Sequence, residues 1–330
     1  MTWFTELTGL PETTPSQVRA NLVLNEPTIT CPNGRTFTCG DLQTPTLADL
    51  RSQVQALPLS NGRIALREAI ANIQDLHTDP ANAGALFQVA SQFNLLEMVS
   101  PTVTPEQGIG IYQHDHTQGP ACAIAAGAGT IYRNYFAPVN GQIGQSATNQ
   151  IDCLADLGAA LGNSNGRYWQ MQNGYTIAIA DGLQAIATRL QAADADERDA
   201  LRATLRIGLQ WHTQVTLDHC THLVSQAYCS ALPVAYSPHP ARLWEPFARL
   251  VLEAAYEATF CAAILNSQQT GNHRLYLTLL GGGAFGNQPH WITDAIHRAM
   301  QLYGRWPLDV VLVSYGRSNP TIQRLITQLS

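Results

Sequence analysis

The 330-residue sequence predicts an α/β fold, a three-layer α/β/α sandwich built on a mixed, mostly parallel sheet. Two patterns and the composition lead there. The last third alternates strand-length apolar runs with helix-periodic segments in the order β-α-β-α-β, an order that needs right-handed crossovers and a sheet covered on both faces. The runs at 274–280 and 309–316 are largely apolar rather than alternating, as strands buried on both faces are. Hydrophobic residues make up 45% and charged residues 13%, a balance that favours a core over disorder.

Taken in order, residues 1–61 are Thr- and Pro-rich and are expected to form an N-terminal accessory segment. Within it, Pro32-Asn33-Gly34 separates Thr28-Ile29-Thr30-Cys31 from Thr36-Phe37-Thr38-Cys39, a tight-hairpin signal that sets Cys31 opposite Cys39. Residues 62–330 are expected to form the α/β domain, with strands near Arg63-Ile64-Ala65-Leu66 and at 85–90. A long polar stretch, 91–118, runs into an Ala-rich helix that starts at Gly119-Pro120. Residues from about 137 to 217 read as an insertion, with a second hairpin turning at Asn173-Gly174. In the same insertion, Asp194-x-x-Glu197 has capping-box spacing ahead of a helix over 198–209. Strands at 210–217 and 223–230 lead to an amphipathic helix carrying Phe247, Leu250, Val251, Ala254, Ala258, Cys261 and Leu265. Strand 274–280, a helix over 291–303 and strand 309–316 complete the chain.

Composition also excludes several functions. All 18 basic residues are Arg, scattered through a chain of net charge −6, so no basic stripe offers an extended nucleic-acid surface. No apolar run approaches the roughly 18–20 residues of a membrane span, and the N-terminus lacks a secretory pattern, so a cytoplasmic protein is expected. The seven cysteines include no Cys-x-x-Cys pair and suit reduced thiols. His212, His219, Cys220, His222 and Cys229 match no common closed zinc spacing, so neither a metal nor another cofactor is expected.

Ligands of open α/β sheets bind beyond the carboxyl ends of the strands, and two loops qualify. Gly281-Gly282-Gly283-Ala284-Phe285-Gly286-Asn287 joins a strand to a helix; glycines let amide N–H groups approach phosphate oxygens, and the helix start favours anions. It is neither a Walker loop, since no Lys follows, nor a dinucleotide fingerprint, since the spacing differs. The stretch 91–118 concentrates Ser91, Asn94, Glu97, Asp115, Thr117 and Gln118, groups suited to orienting sugar hydroxyls and a water.

Leu223-Val224-Ser225-Gln226-Ala227-Tyr228, the helix after it and Leu275-Tyr276-Leu277-Thr278-Leu279-Leu280 running into the glycine loop together resemble the C-terminal half of a macrodomain. That family carries a Gly-x-Gly-x-(aromatic)-Gly loop around the ADP-ribose diphosphate, and Gly281, Gly283, Phe285 and Gly286 occupy those places. Ala71-Asn72-Ile73 falls where macrodomains have Gly-Asp-Ile at the adenine, with Asn72 in place of the Asp. Phe87-Gln88-Val89-Ala90-Ser91 falls where they have Asn-Ala-Ala-Asn at the distal ribose. Poly(ADP-ribose) glycohydrolases follow a Gly-Gly-Gly loop with Gln-Glu-Glu, whose carboxylate is the acid/base; here the corresponding stretch is Thr117-Gln118-Gly119-Pro120, without the glutamates.

The resemblance implies a macrodomain-like protein that binds ADP-ribose or an ADP-ribosylated substrate and hydrolyses a glycosidic or ester ADP-ribosyl bond. Asp115 is the first candidate for the catalytic carboxylate and Glu97 the second. Asn72, Ile73, Ser91, Asn94, Thr117, Gln118, Gly119 and Gly281 to Asn287, including Gly282 and Ala284, are the expected ligand contacts. The alternatives are a non-catalytic module that reads ADP-ribosylation, or another nucleotide-diphosphate hydrolase or transferase.

Overall fold

The apolar run near residue 86 forms the strand Leu86–Ala90, whose side chains divide between two helical layers. The computed structural model describes residues 1–329 and sets this strand at the centre of a seven-stranded sheet. Neighbouring side chains on a strand face opposite ways. Phe87 stacks on His77 of the helix Ile73–Thr78, with ring centroids 3.8 Å apart. Gln88, on the other face, donates to the Thr259 hydroxyl of the helix Ala241–Thr270 at 3.0 Å.

From one edge to the other the strands are Asp41–Gln43, Gly208–Gln214, Leu223–Cys229, Leu86–Ala90, Arg274–Leu277, Asp309–Ser314 and Ala65–Ile70. The last five pair in parallel, while Gly208–Gln214 runs antiparallel to both its neighbours. The mixed, mostly parallel α/β/α sandwich expected from the sequence is therefore the fold. Ala241–Thr270 covers the central strands, and Pro289–Tyr303, Leu47–Gln55 and Ala180–Ala192 pack against it. On the opposite face, Gln118–Ala125 lies on Leu86–Ala90 and Gly127–Tyr135 on Gly208–Gln214. Among the described residues no helix is long and apolar enough to cross a membrane.

The expected segment boundaries need correction. Asp41–Gln43, within the supposed accessory segment, is an edge strand of the sheet, pairing with Leu209, Gln210 and Trp211. Arg51 of Leu47–Gln55 binds the buried Glu257 carboxylate at 2.5 Å and Asp199 at 2.7 Å. Phe4, Val18, Ile29 and Cys39 share a second apolar core with Leu96, Ile109 and Tyr135. The supposed insertion likewise supplies the sheet strand Gly208–Gln214. Short strands whose partners lie about 170 residues away leave no local periodicity to read.

Local expectations fare unevenly. Both hairpins form, and Asn173 and Gly174 take the positive φ values, 47° and 77°, that their turn requires. Thr30 pairs with Thr36, so Cys31 lies opposite Arg35 and Cys39 opposite Pro27, not opposite each other. The helix expected over 198–209 is Ala195–Ala203, capped by Asp194, because Leu205, Ile207 and Leu209 are pulled into the core. The strand expected to reach Leu280 ends at Leu277, where the Tyr256 hydroxyl donates to Thr278 O and accepts from the Leu280 amide.

A chain beginning at Gly62 would expose the Gly208–Gln214 edge and leave Glu257 without Arg51. It is expected to lose the cooperative thermal transition of the full chain, as followed by circular dichroism; a preserved sharp transition would show that residues 1–61 are dispensable.

Candidate functional site

Each of the five parallel strands ends at one cleft. Residues following them, Ala71 and Asn72, Ser91, Ala231, Thr278 and Tyr315, line two adjoining cavities of about 640 and 380 Å³. The two share Asp115, His116, Thr117, Gln118, Thr278 and Tyr315, so they form two lobes of an elongated depression. Their combined size suits a dinucleotide-sized ligand better than a small metabolite.

The glycine loop borders the smaller lobe and is fixed before any ligand arrives. Gly282 N–H donates to Leu279 O, Gly286 N–H to Gly283 O, Asn287 N–H to Gly281 O and Ala235 N–H to Phe285 O, all at 2.9–3.0 Å. Asn287 is buried and its side-chain amide donates to Leu232 O at 2.8 Å, so it props the loop rather than facing the cleft. Gly281 and Gly286 both have φ of +71°, and a Cβ on them would lie 2.4 Å from Ala231 Cβ and 2.8 Å from Ala235 Cβ. Only glycine serves at these two places. Among the described residues the amides of Gly281, Gly283, Ala284 and Phe285 have no acceptor, and these four residues line the lobe. Free N–H groups on a glycine loop ahead of a helix, here Pro289–Tyr303, are chemically suited to an anion.

Opposite the loop stands Glu97, in a turn that continues the central strand. The residue is 2% exposed and borders the smaller lobe, while both carboxyl oxygens are sealed from solvent near the Tyr112 hydroxyl and the Arg133 guanidinium. Burial pushes its pKa up to about 8, against the pull of the Arg133 guanidinium and the Tyr112 hydroxyl. At neutral pH this carboxyl therefore keeps its proton. The turn is held from several sides. Arg133, wholly buried, donates through Nε to Leu95 O at 3.1 Å and lies 3.6 Å from the centre of the Tyr228 ring. The Tyr112 hydroxyl accepts from the Glu97 amide at 3.0 Å. Leu95 sits at φ +63°, a conformation costly for leucine and tolerated where the surroundings impose it.

Most expected contacts line the cleft: Asn72 and Ile73 the larger lobe, Ser91, Glu97, Gly119, Gly281, Gly283, Ala284 and Phe285 the smaller, and Asp115, Thr117 and Gln118 both. Asn94 does not. It is fully buried, its amide donating to Gln150 at 2.8 Å and its carbonyl accepting from Leu96 N, because it organises the turn. Gly282 and Gly286 also shape the loop without lining either lobe. Gln118 is committed as well: its carbonyl accepts from Ala90 N at 2.9 Å and its amide donates to Gln88 O at 2.7 Å. Asp115 accepts from the amide and hydroxyl of Thr117 at 2.9 and 2.7 Å, a turn-forming arrangement at the cleft rim. At Gly119 a Cβ would lie 1.9 Å from Ala90 O and 3.2 Å from Glu97 Cγ, so the helix start rests directly on the strand end.

Sequence reasoning named Phe285 but missed the rest of the aromatic wall around it. Tyr175, Tyr236 and Phe285 line the smaller lobe with ring centroids 5.3–5.5 Å apart, and Tyr315, 83% exposed, borders both lobes. Tyr315 follows a parallel strand and was open to the strand-end argument; Tyr175 and Tyr236 lie on distant segments with no local mark. The histidines near residue 220 go to structural bonds, His212 with Gln269 and His222 with His77 O. Cys122, at the helix start, is buried and its thiol pKa is driven upward, which disfavours the thiolate.

No family model matches the chain, and no curated protein matches it. Among solved structures it is similar to poly(ADP-ribose) glycohydrolase from Thermomonospora curvata bound to the inhibitor ADP-HPD, at 14% identity and TM-score 0.46 over 96% of this chain and 97% of that one. It is also similar to poly(ADP-ribose) glycohydrolase from Deinococcus radiodurans in complex with ADP-ribose, at 12% identity and TM-score 0.47 over 88% of this chain and 94% of that one.

Two outcomes follow for stability. Gly281→Ala and Gly286→Ala should each lower unfolding free energy by about 1–3 kcal/mol in urea titrations, whereas Gly283→Ala, with no heavy atom within 4 Å of the new Cβ, should be close to neutral. The Glu97 carboxyl, with its folded pKa raised from 4.5 to about 8, keeps its proton where the unfolded chain has lost it, so its contribution to stability declines as pH rises between those values. Glu97→Gln removes that titration. Its stability relative to the parent chain should therefore improve across this window, by at most roughly 1.4 kcal/mol per pH unit; a pH-independent difference would contradict the assignment.

Proposed function

We propose that the cleft binds ADP-ribose or an ADP-ribosyl group and that the chain hydrolyses an ADP-ribosyl bond. The observation carrying this reading is the set of four amides at Gly281, Gly283, Ala284 and Phe285, without acceptors among the described residues, placed along the smaller lobe of a cleft whose larger lobe adjoins it. A diphosphate satisfies those donors without any lysine, and the chain has none.

The two lobes then divide the ligand. Adenosine occupies the larger one, where the Asn72 carbonyl caps Gln74 N at 3.0 Å and leaves its amide to donate, beside Ile73 and Trp3. The distal ribose enters the smaller lobe, against Phe285, Tyr236 and Tyr175, with Ser91 and Thr117 supplying hydroxyls. A sugar face on aromatic rings excludes water from the anomeric carbon while the rim remains polar.

A plain nucleoside diphosphate would fill the larger lobe and reach the amides but leave the aromatic side of the smaller lobe, at Tyr175, Tyr236 and Phe285, without a sugar, which separates this reading from that of a general diphosphate-nucleotide enzyme. Calorimetric titration is expected to give ADP-ribose binding at least about tenfold tighter than ADP. No heat at millimolar ADP-ribose would sink the proposal, and equal affinity for ADP would remove the sugar from the smaller lobe.

A further inference from the structure

Resting on that reading, we infer that Glu68, which lies outside the cleft, is a positioning residue for the ligand: it clamps both ends of the strap that carries Tyr315 to the junction of the two lobes. The strap runs from Ser314, at the end of the strand Asp309–Ser314, to Asn319, whose side chain caps the helix Pro320–Leu329. Glu68 belongs to the neighbouring edge strand, Ala65–Ile70.

One carboxylate gathers the two ends. Glu68 Oε1 accepts from the Ser314 hydroxyl and, at 2.7 Å, from the Asn319 amide. Its Oε2 accepts from the Ser318 hydroxyl at 2.6 Å and from the Gln323 side-chain amide. Partial burial raises the pKa of the group, but these donors outweigh it and hold the carboxyl down at about 2, so the clamp stays charged throughout the neutral range. The charge also lies at the start of Pro320–Leu329, where the helix dipole favours it. From the other side, the Ala71 amide donates to Ser314 O at 3.0 Å, which ties the strap's first residue to the loop bringing Asn72 to the larger lobe.

Between its ends the strap has little to fix it. Tyr315 is 83% exposed, and neither its hydroxyl nor the Arg317 guanidinium has a hydrogen-bond partner among the described residues. Gly316 takes a φ of +74°, and a Cβ there would meet no heavy atom within 4 Å. Tyr315 nevertheless lines both lobes, whereas Glu68 lines neither. The ring is therefore placed by the backbone, and the backbone by its two ends. A strap released at those ends samples more conformations, and apparent affinity falls with the fraction that keeps Tyr315 over the cleft.

The test combines calorimetric titration of the full chain with ADP-ribose and amide hydrogen exchange of the unliganded protein. Glu68→Ala, which removes all four acceptor contacts, is expected to bind ADP-ribose at least about tenfold more weakly and to exchange the amides of 315–319 at least about tenfold faster. Glu68→Gln, whose carbonyl can still take the Ser314 hydroxyl and the Asn319 amide, should recover most of both losses. Ser318→Ala removes one contact of an exposed residue and should give a smaller loss in the same direction. Tyr315→Ala should weaken binding by itself, and adding Glu68→Ala to it should cost less than about twofold more, because the clamp acts through the tyrosine. Affinity of Glu68→Ala within twofold of the parent overturns the positioning role, and so does an undiminished tenfold loss in the Tyr315→Ala chain. If Glu68→Ala does not fold, parental affinity and exchange in Ser318→Ala overturn the proposal instead. Failure of the parent to bind ADP-ribose overturns the reading of the cleft and the ligand role with it, while unchanged exchange over 315–319 overturns the clamp whatever the ligand.

Discussion

The cleft depends on the central strand Leu86–Ala90 being buried on both faces. With Phe87 held by the helix Ile73–Thr78 and Gln88 by Ala241–Thr270, the strand cannot shift without emptying two cores. Its far end is fixed as firmly. The Gln118 side chain accepts from Ala90 N and donates to Gln88 O, so the helix after the long loop is hydrogen-bonded along the strand's end. That clamp brings Gly119 onto Ala90, and the chain between them has to close as a compact turn rather than spread into solvent. Glu97 rides on that turn. A buried carboxyl can be aimed only by a backbone with nowhere else to go, and here the backbone is constrained by two layers, a clamp and the Arg133 donation to Leu95 O.

The features legible in the sequence were those written in local chemistry. The glycine loop was readable because positive φ and close backbone approach leave glycine as the only choice, and Gly281 and Gly286 meet that demand against Ala231 and Ala235. The buried parallel strands were readable from apolar runs, and both hairpins from Asn-Gly. What could not be read was pairing at long range. Asp41–Gln43 has the burial pattern of any exposed edge, and nothing in three residues announces a partner at 209–211. Asn94 and Glu97 lie three positions apart in one polar stretch, the first expected as a ligand contact and the second as the alternative catalytic carboxylate. They differ in what surrounds them: Asn94 meets Gln150 and the Leu96 amide, and Glu97 meets no partner for either oxygen. Partner availability is a property of the assembled turn.

The two halves of the cleft are built on opposite electrostatic principles. At the glycine loop the protein presents donors without acceptors among the described residues; at Glu97 it presents a buried carboxyl without an ion pair. Either arrangement alone weakens the fold, because a polar group withdrawn from water and left unpaired costs about 1–3 kcal/mol. Elsewhere such groups are tied down, as with Glu257, which is as buried as Glu97 but carries Arg51 and Arg298. The contrast is informative because both carboxylates belong to the same sheet-and-helix framework. One has its charge neutralised by two guanidinium groups and its pKa held below the usual range; the other is kept neutral by burial and its pKa is raised.

That contrast also explains why Arg133 does not form an ion pair with Glu97. A direct bidentate contact would stabilise the carboxylate and abolish a proton donor at neutral pH. Instead the guanidinium donates through Nε to Leu95 O and through Nη2 to the Thr130 hydroxyl and lies on the face of the Tyr228 ring, contacts that carry no negative charge, while its buried Nη1 has no hydrogen-bond partner among the described residues. Its influence on Glu97 is therefore a moderating field rather than a bond. A field of this kind lowers the cost of losing the proton without a direct ion pair. The cation–π contact and the strained Leu95 turn thus serve one end: they hold a positive charge near an acid while keeping it out of the acid's hydrogen-bonding shell.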